Sequence, residues 1–561
     1  MSVLVEEVKK DIYTRIMDAA GRAIAAGQFP AEPLPAFRIE VPQDVSFGDF
    51  AANAALIWAK TLKMAPRSAA DIIISHFETD DKIQKIETAG PGFLNITLGN
   101  GFFSSIVDDV LQKGADYGKS SYGGGKRVLV EFVSANPTGP MHIGNARGGA
   151  LGDCLASVLS FAGYSVDREF YVNDAGNQIE KFKNSLEARY LQLFDSSVKM
   201  PEDCYMGEDI TEHARAFKEK FGDKYLNTDS ETRKTALCDF ALPKNIEGLK
   251  RDLLKYRIKY DNWYLESSLH NSGRVRQIIE QLKESGHTYE KDGALWFNSE
   301  KFGDEKDRVL VRAGGIPTYL APDIAYHYDK LTTRGYDLAV DVLGADHHGY
   351  VPRLRAALTA LGVDEKRLKV VIMQMVRLVK NGETYKLSKR SGKAITLSTL
   401  LDEVPLDAAR FIFNSKEPNT HLEFDLDLAV EQSSSNPVYY VQYAHARICS
   451  ILRNLEGEGI KPERPKTGEL DLLTAPEERE LVRHIAAFTE EIETAAKTLD
   501  PSRITRYAYD TSAKFHKFYN ACRVKCGDDR LMRARLSLCI AARTVLKNCF
   551  DILKIDAPEE M

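Results

Sequence analysis

The sequence predicts an α/β core on a parallel, doubly wound sheet, with a small α+β unit before it and an all-α region after it. Three observations carry this. Residues 127–172 and 336–376 each read strand, loop, helix, strand. The first of these loops is glycine-rich, "PTGPMHIGNARGG" (137–149). From Asn436 onward only helical periodicity remains, apart from a polar linker near 459–469.

Taken in order, the first 27 residues place apolar side chains at helical spacing with acids early, as in an amphipathic helix and unlike a signal peptide. "FGDFAANAALIWAK" (47–60) is helical in period, and "GPGFLNITL" (90–98) reads as a turn feeding a strand. "KSSYGGGKR" (119–127) reads as a linker. "RVLVEFV" (127–133) is a short apolar strand. After the glycine loop, Leu151, Leu155, Val158 and Ala162 fall on one helical face that Gly163 stops, and "VDREFYV" (166–172) is the next strand. Residues 201–305 are charged and helical and read as an insertion. The second half repeats the logic. "YDLAVDVLG" (336–344) is a strand, "ADHHGY" a loop, and Val351, Leu354, Leu358 and Leu361 one helical face ended by Gly362. "LKVVIMQMV" (368–376) is a strand. Asn381-Gly382 between two alternating runs predicts a hairpin. It leads into "KLSKRSG" (386–392), a basic, hydroxyl-rich loop suited to polyphosphate, although an isolated KxSK reads better as a solvated charge run. Two βαβ halves put a ligand crevice at the strands' carboxyl ends, where the glycine loop lies.

Composition narrows the classes. Of 561 residues, 43% are hydrophobic and 28% charged, an ordinary globular mix. The net charge of −6 argues weakly against a nucleic-acid partner without excluding a local basic stripe. The eight cysteines contain no CxxC, and the tightest pair, Cys522 and Cys526, is CxxxC on an expected helix. Free thiols in a reducing compartment are expected, not a structural zinc site. No apolar run reaches the ~18 residues of a membrane span, so a cytoplasmic location is expected. No Gly-Lys-Ser/Thr closes the glycine loop, which excludes a P-loop.

The motifs carry a resemblance. "HIGN" (142–145) resembles the HIGH motif, and "KLSKR" (386–390) the KMSKS loop, of class I aminoacyl-tRNA synthetases. "VEFVSANPTGPMHIGNARGGALGD" (130–153), "YVNDAGNQ" (171–178), "YLAPDIAYH" (319–327), "NPVYYVQYAHARI" (436–448) and "AGPGFLN" (89–95) resemble bacterial arginyl-tRNA synthetases, and the likeness runs the whole chain. Two departures stand out. Asn145 replaces the last histidine of HIGH, and Leu387 and Arg390 replace Met and Ser of KMSKS, with Lys386 and Lys389 kept.

The resemblance implies a split Rossmann fold with a parallel sheet as catalytic domain (119–435), carrying a helical insertion at about 195–305. It implies an N-terminal add-on domain (1–118) that touches the tRNA elbow, and a helical anticodon-binding domain (436–561). The implied reaction joins L-arginine to tRNA(Arg) through an arginyl-adenylate, using ATP with Mg²⁺ held by phosphates and water, with no protein metal site. His142, Lys386 and Lys389 are the implied catalytic groups. Pro137, Gly139, Gly144, Asn145, Gly344 and Asp346 join them around ATP. Gly139 and Gly144 let backbone approach the nucleotide, and Asn145 supplies a neutral donor. Glu131, Asn136, Tyr319, Asp323, His347 and Gln178 match the arginine site, where acids must meet a planar five-donor guanidinium. Tyr319 and Asp323 are i, i+4 and share a face if helical. Tyr439, Tyr443, Arg447 and Met561 fall to the tRNA, as stacking platforms beside cations or, in the alternative, as parts of a plain helical bundle. A monomer is expected. A cysteine-specific synthetase would need a zinc cluster, a HIGH-type adenylyltransferase would lack the long helical C-terminus, and a synthetase-like binding protein would have lost His142 or Lys389.

Overall fold

The computed structural model describes residues 3–42, 44–385, 395–460 and 463–561. The basic loop with Lys386 and Lys389 therefore lies outside the described residues.

The N-terminal unit runs α1 (Val3–Ala25), β1 (Ile39–Glu40), β2 (Phe50–Ala52), α2 (Ala54–Leu62), α3 (Pro66–Ser75), β3 (Ile83–Ala89), β4 (Phe93–Leu98) and α4 (Asn100–Lys113). Its sheet is antiparallel, in the order β1-β2-β4-β3. The stretch read as one helix from 47 to 60 is a strand and then a helix. Phe50, Ala51 and Ala52 are held by pairing with both β1 and β4, and the helix starts only at Ala54. The glycine-rich 119–127 segment is strapped down: backbone N–H groups of Ser120, Gly123 and Gly125 donate to the carbonyls of Phe161, Ala162 and Gly163.

The core follows as β5 (Arg127–Phe132), α5 (Ile143–Phe161), β6 (Ser165–Val172), α6 (Asn177–Gln192), α7 (Glu208–Phe221), α8 (Ser230–Lys255) and β7 (Asn262–Leu265). Next come α9 (Glu266–Asn271), α10 (Arg274–Glu284), β8 (Thr288–Lys291), β9 (Ala294–Phe297), β10 (Arg308–Val311), α11 (Leu320–Tyr328), β11 (Leu338–Gly344), α12 (Val351–Ala360) and β12 (Leu368–Met373). The central sheet is wholly parallel, in the order β12-β11-β5-β6-β7. The chain goes from β5 to one side through β6 and β7, then crosses to the other side through β11 and β12. The order reverses beside β5, and that reversal opens the crevice where the glycine loop sits.

Two expectations are corrected here. The insertion is not helical throughout 195–305. α7 and α8 fit, but β7 returns to the central sheet as its edge strand, and β8 and β9 pair into a hairpin that β10 joins. The signal for that hairpin was Asp292-Gly293, whose φ of 53° and 72° give the turn that matches strand twist. The run 368–376 is also not one strand. β12 stops at Met373 because Gln374 donates its N–H to the Pro418 carbonyl and accepts from Arg147.

β13 (Val376–Lys380) and β14 (Glu383–Thr384) form the expected Asn381-Gly382 hairpin, completed by β15 (Leu422–Asp425) after α13 (Leu397–Glu403) and α14 (Leu406–Phe413). α15 (Leu426–Val430) leads to the helical region, α16 (Pro437–Gly457), α17 (Pro476–Ala486), α18 (Phe488–Thr498), α19 (Ser502–Ala521) and α20 (Asp529–Leu553). Cys522 and Cys526 lie beyond the end of α19, not on a helix, and all eight cysteines are free. α5 is buried well beyond the one apolar face its periodicity marks. Every residue from Ala146 to Leu159 is buried, because α14, α18 and α20 pack on the side away from the sheet. Gly152 is required there: a Cβ at this position would stand 2.2 Å from Cγ of Phe132, so its absence sets how closely α5 lies on β5. No helix among the described residues is long and apolar enough to cross a membrane.

Candidate active site

A cleft of about 1100 Å³ opens at the carboxyl ends of β5 and β11. Glu131, Asn136, Gly139, His142, Gly144, Asn145, Tyr319, Asp323, Gly344, Asp346 and His347 all line it. These come from three separate stretches of sequence, 131–145, 319–323 and 344–347, and the switch in strand order brings them together.

The glycine loop ends on the N-terminus of α5. His142 is its N-cap: the imidazole Nδ1 accepts the Gly144 N–H at 3.1 Å. A nitrogen that accepts carries no proton, so the tautomer is fixed with N–H on Nε2. Desolvation by the loop lowers the His142 pKa, and the ring is a neutral donor at pH 7. Gly144 is needed for this geometry, since a Cβ would stand 3.0 Å from His142 Cε1. Gly139 has no such constraint; a Cβ there would make only an ordinary contact with Asp209.

Asn145 has a definite task. Its Oδ1 accepts the His142 backbone N–H at 3.0 Å, closing a reciprocal capping box. The residue departing from HIGH thus acts on the protein as an acceptor, and its NH₂ has no partner among the described residues. Asn145→Ala is expected to lose about 1 kcal/mol of stability with the cap, and to lower activity by loosening His142. Asn145→His should keep activity. Urea midpoints and pyrophosphate-exchange rates on the two variants check this; a fully active Asn145→Ala enzyme would contradict it.

Across the cleft, Tyr319 caps α11 and is exposed, while Asp323 sits one turn on. Asp323 Oδ2 accepts from the Tyr350 hydroxyl. Burial raises the Asp323 pKa despite that bond. Glu266, at the start of α9, is a cleft carboxylate that sequence reasoning missed. It is buried, and burial followed by the nearby Asp323 charge raises its pKa. With its nitrogen turned toward the acceptors, the Asn173 amide donates to Glu266 Oε2 at 3.0 Å. The sequence signal was slight: one acid at a strand–helix junction inside a charged stretch. Two acids resisting ionisation in one wall form a site for a cation.

The floor is different. Glu131 is buried and already engaged, by Lys330 Nζ at 2.5 Å and by Ser134 Oγ at 2.8 Å. Glu131, His327 and Asp341 have ligand atoms close enough to hold a metal, but the Lys330 ammonium bonds both carboxylates and is the cation of that cluster.

Two expected site residues do not line the cleft. The Pro137 carbonyl accepts from Asn245 of α8, so it ties the glycine loop to the insertion. Gln178 accepts from the Tyr205 hydroxyl, and it is Tyr205 that reaches the cleft. His347 is exposed at the rim, 3.6 Å from Asp346.

On the helical region, Tyr439 and Tyr443 stack at 6.3 Å, and Tyr440 lies 4.8 Å from Tyr509. The Arg447 guanidinium covers the Tyr519 ring at 4.6 Å. The C-terminal tail runs back along α16, where Gln442 and His445 bond the carbonyls of Asp556 and Pro558, and Met561 ends it exposed.

Comparison with known families settles the relationship. Residues 106–451 match the family described as "tRNA synthetases class I (R), catalytic domain". The chain belongs to the arginyl-tRNA synthetase family. Residues 7–98 match the arginyl tRNA synthetase N terminal domain, and 441–561 the DALR anticodon binding domain. The arginine–tRNA ligase of Caldanaerobacter subterraneus subsp. tengcongensis is 53% identical, with all of both chains covered. That of Ruminiclostridium cellulolyticum is 51% identical, with 99% of each covered. The fold is that of the arginyl-tRNA synthetase structure from Thermus thermophilus, with a TM-score of 0.75, 22% identity, and 99% of this chain and 100% of that one covered.

Proposed function

We propose that this cleft carries out the family's reaction with the residues placed above. The chain is an arginine–tRNA ligase, a class I enzyme that uses ATP. L-arginine and ATP with Mg²⁺ enter the cleft, the ion held by phosphates and water. The arginine carboxylate attacks the α-phosphate; the bond to the β-phosphate oxygen breaks and pyrophosphate leaves. The terminal ribose hydroxyl of tRNA(Arg) then attacks the arginyl-adenylate, releasing AMP. No protein nucleophile is needed, so the work is positioning and charge stabilisation.

The observation that carries this reading is the division of the cleft. On the α5 side stand a helix N-terminus and a neutral His142 with Nε2–H outward, donors suited to phosphate oxygens. On the α11 side stand Asp323, half-buried, and Glu266, buried, two acids suited to a guanidinium. Asn136, Tyr319 and His347 line the space beside them, and Gln178 acts through Tyr205. Gly344 and Asp346 frame the nucleotide from the β11 side, and Pro137 holds the loop through Asn245. Lys386 and Lys389 meet the β- and γ-phosphates.

Residues 436–561 bind the anticodon, with Tyr439, Tyr443, Arg447 and Met561 in the contact surface, and 1–118 meets the tRNA elbow. The catalytic unit spans 119–435. The enzyme works in the cytoplasm as a monomer, which light scattering on the purified protein checks.

Pyrophosphate exchange and charging with each amino acid test the reading. Arginine alone should be charged, and charging of a different amino acid would overturn it. Lys389→Ala should lower kcat about 100-fold with KM changed little, because a transition-state contact typically contributes ~2.7–4 kcal/mol. An unaltered kcat would remove that role.

A further inference from the structure

Three acids stand in one row across the core sheet. Asp341 of β11 is in register with Glu131 of β5, and Glu131 with Glu169 of β6. Partners in register send their side chains to the same face, and all three are buried. Like charges so placed repel. Two cations answer them, both from the π-helical turn Asp329–Thr333 and its cap, which prolong α11. Lys330, fully buried, bonds Glu131 at 2.5 Å and Asp341 at 2.9 Å, and its Nζ lies 4.1 Å from the centre of the Tyr326 ring. Arg334 bonds both oxygens of Glu169, which also accepts from the Tyr326 hydroxyl. His327 closes the cluster. Its Nε2 meets Asp341 Oδ2 at 2.7 Å and its Nδ1 meets the Asp323 carbonyl at 2.7 Å. A wider helical turn at a functional site is a recurrent device for aiming side chains inward.

A lysine buried under a pocket for a cation is unexpected on charge alone. It makes sense once the cleft's acids are counted. Glu131 and Asp341 line the floor, and Asp323 and Glu266 the wall. With no cation below, all four carboxylates would compete for one guanidinium. We propose that Lys330 is a positioning and charge-setting residue for amino-acid selection: its ammonium, locked between Glu131 and Asp341, offsets one of the floor's two negative charges so that the substrate guanidinium is held by Asp323 and Glu266. This rests on the arginine site proposed above. Burial works against charge at both Asp341 and Lys330. Yet the acids around Lys330 raise its pKa, and Lys330 with His327 holds Asp341 well below the usual carboxylate range. The pair stays ionised.

Lys330→Met keeps most of the volume and removes the charge. Two buried carboxylates without a cation hold one proton between them. Glu169 with Arg334, and His327, face the same space and are unchanged. We expect kcat/KM for arginine to fall about 100-fold, with KM for ATP within about threefold. The acid limb of the arginine kcat/KM profile should move up by about one pH unit or more. Adding Asp341→Asn to Lys330→Met restores charge balance and should recover at least about tenfold and bring the limb back. A packing role would give neither the limb shift nor the rescue. Wild-type kcat/KM in Lys330→Met, or no recovery in the double variant, overturns the proposal. Should Lys330→Met fail to fold, the double variant decides: folded and active supports it, misfolded overturns it. Asp323→Ala separates the two readings. If it leaves KM for arginine unchanged, the arginine site itself is misplaced; if it raises KM and Lys330→Met does not, only the Lys330 inference fails.

Discussion

Arg410→Met should destabilise the protein by about 3–5 kcal/mol, the cost of leaving a buried partner unpaired. Arg410 is fully buried on α14 and joins three elements distant in sequence. Its Nε donates to the Leu553 carbonyl at the end of α20 at 2.7 Å, and one terminal nitrogen to the Tyr256 carbonyl at the end of α8 at 2.9 Å. The other bonds Asp153 Oδ2 on α5 at 2.6 Å. Removing it orphans two helix-terminal carbonyls and half-frees Asp153, which keeps its bond from Arg168 at 3.0 Å. Methionine fills the volume but satisfies none of them. The urea midpoint of the main transition reads the loss, and hydrogen exchange should rise at the end of α20. Adding Asp153→Asn should recover part of the stability, because it removes the charge left behind. An unchanged midpoint would show that these bonds contribute nothing net.

The position of Arg410 also explains what the sequence could and could not reveal. The two βαβ halves, the glycine loop and the hairpin at Asn381-Gly382 were legible because each is local: apolar runs, turn residues and helical spacing lie within a few residues of one another. Glu131, Asp323 and His142 were legible through motifs. Arg410, Lys330 and Glu266 were not, for a common physical reason. Each is a charged residue that period and composition assign to solvent, and it is buried because partners from other stretches of sequence neutralise or surround it: Glu131 for Lys330 across 199 residues, Asp153 for Arg410 across 257, and Asn173 for Glu266. The same limit applied to α5: its periodicity marked one apolar face, while the C-terminal helices bury the rest. β7 was missed because four residues, "NWYL", carry too little alternation to separate a strand from the helical text around it. Asn145 shows the converse. Its motif position suggested a neutral donor to the nucleotide; the structure adds that its Oδ1 completes the helix cap on His142.

Asp323→Ala should lower kcat/KM for arginine by about 10³-fold, with KM for ATP within about threefold, since losing one partner of a desolvated charge pair costs 2–5 kcal/mol or more. The carboxylate is held from below by the Tyr350 hydroxyl, so it is already oriented when substrate arrives. Its burial raises its pKa in the empty cleft, and a bound guanidinium favours the ionised form. The sign follows. Arginine affinity is complete above the empty-site pKa of Asp323 and is lost as pH falls through it, with proton release on binding in that range. ATP affinity should not follow that limb, because the proposed phosphate donors, the α5 terminus and His142, do not include those acids. Glu266→Gln should lower arginine kcat/KM in the same direction, and because the two carboxylates repel one another, the double variant should lose less than the sum of the singles. In Asp323→Asn the acid limb should shrink, leaving only what Glu266 contributes. Steady-state exchange kinetics from about pH 5 to about pH 9, with arginine and ATP varied separately, measure all of this. Equal loss toward arginine and ATP would place Asp323 outside the guanidinium site. Strict additivity with Glu266 would mean that the two acids do not share one cation.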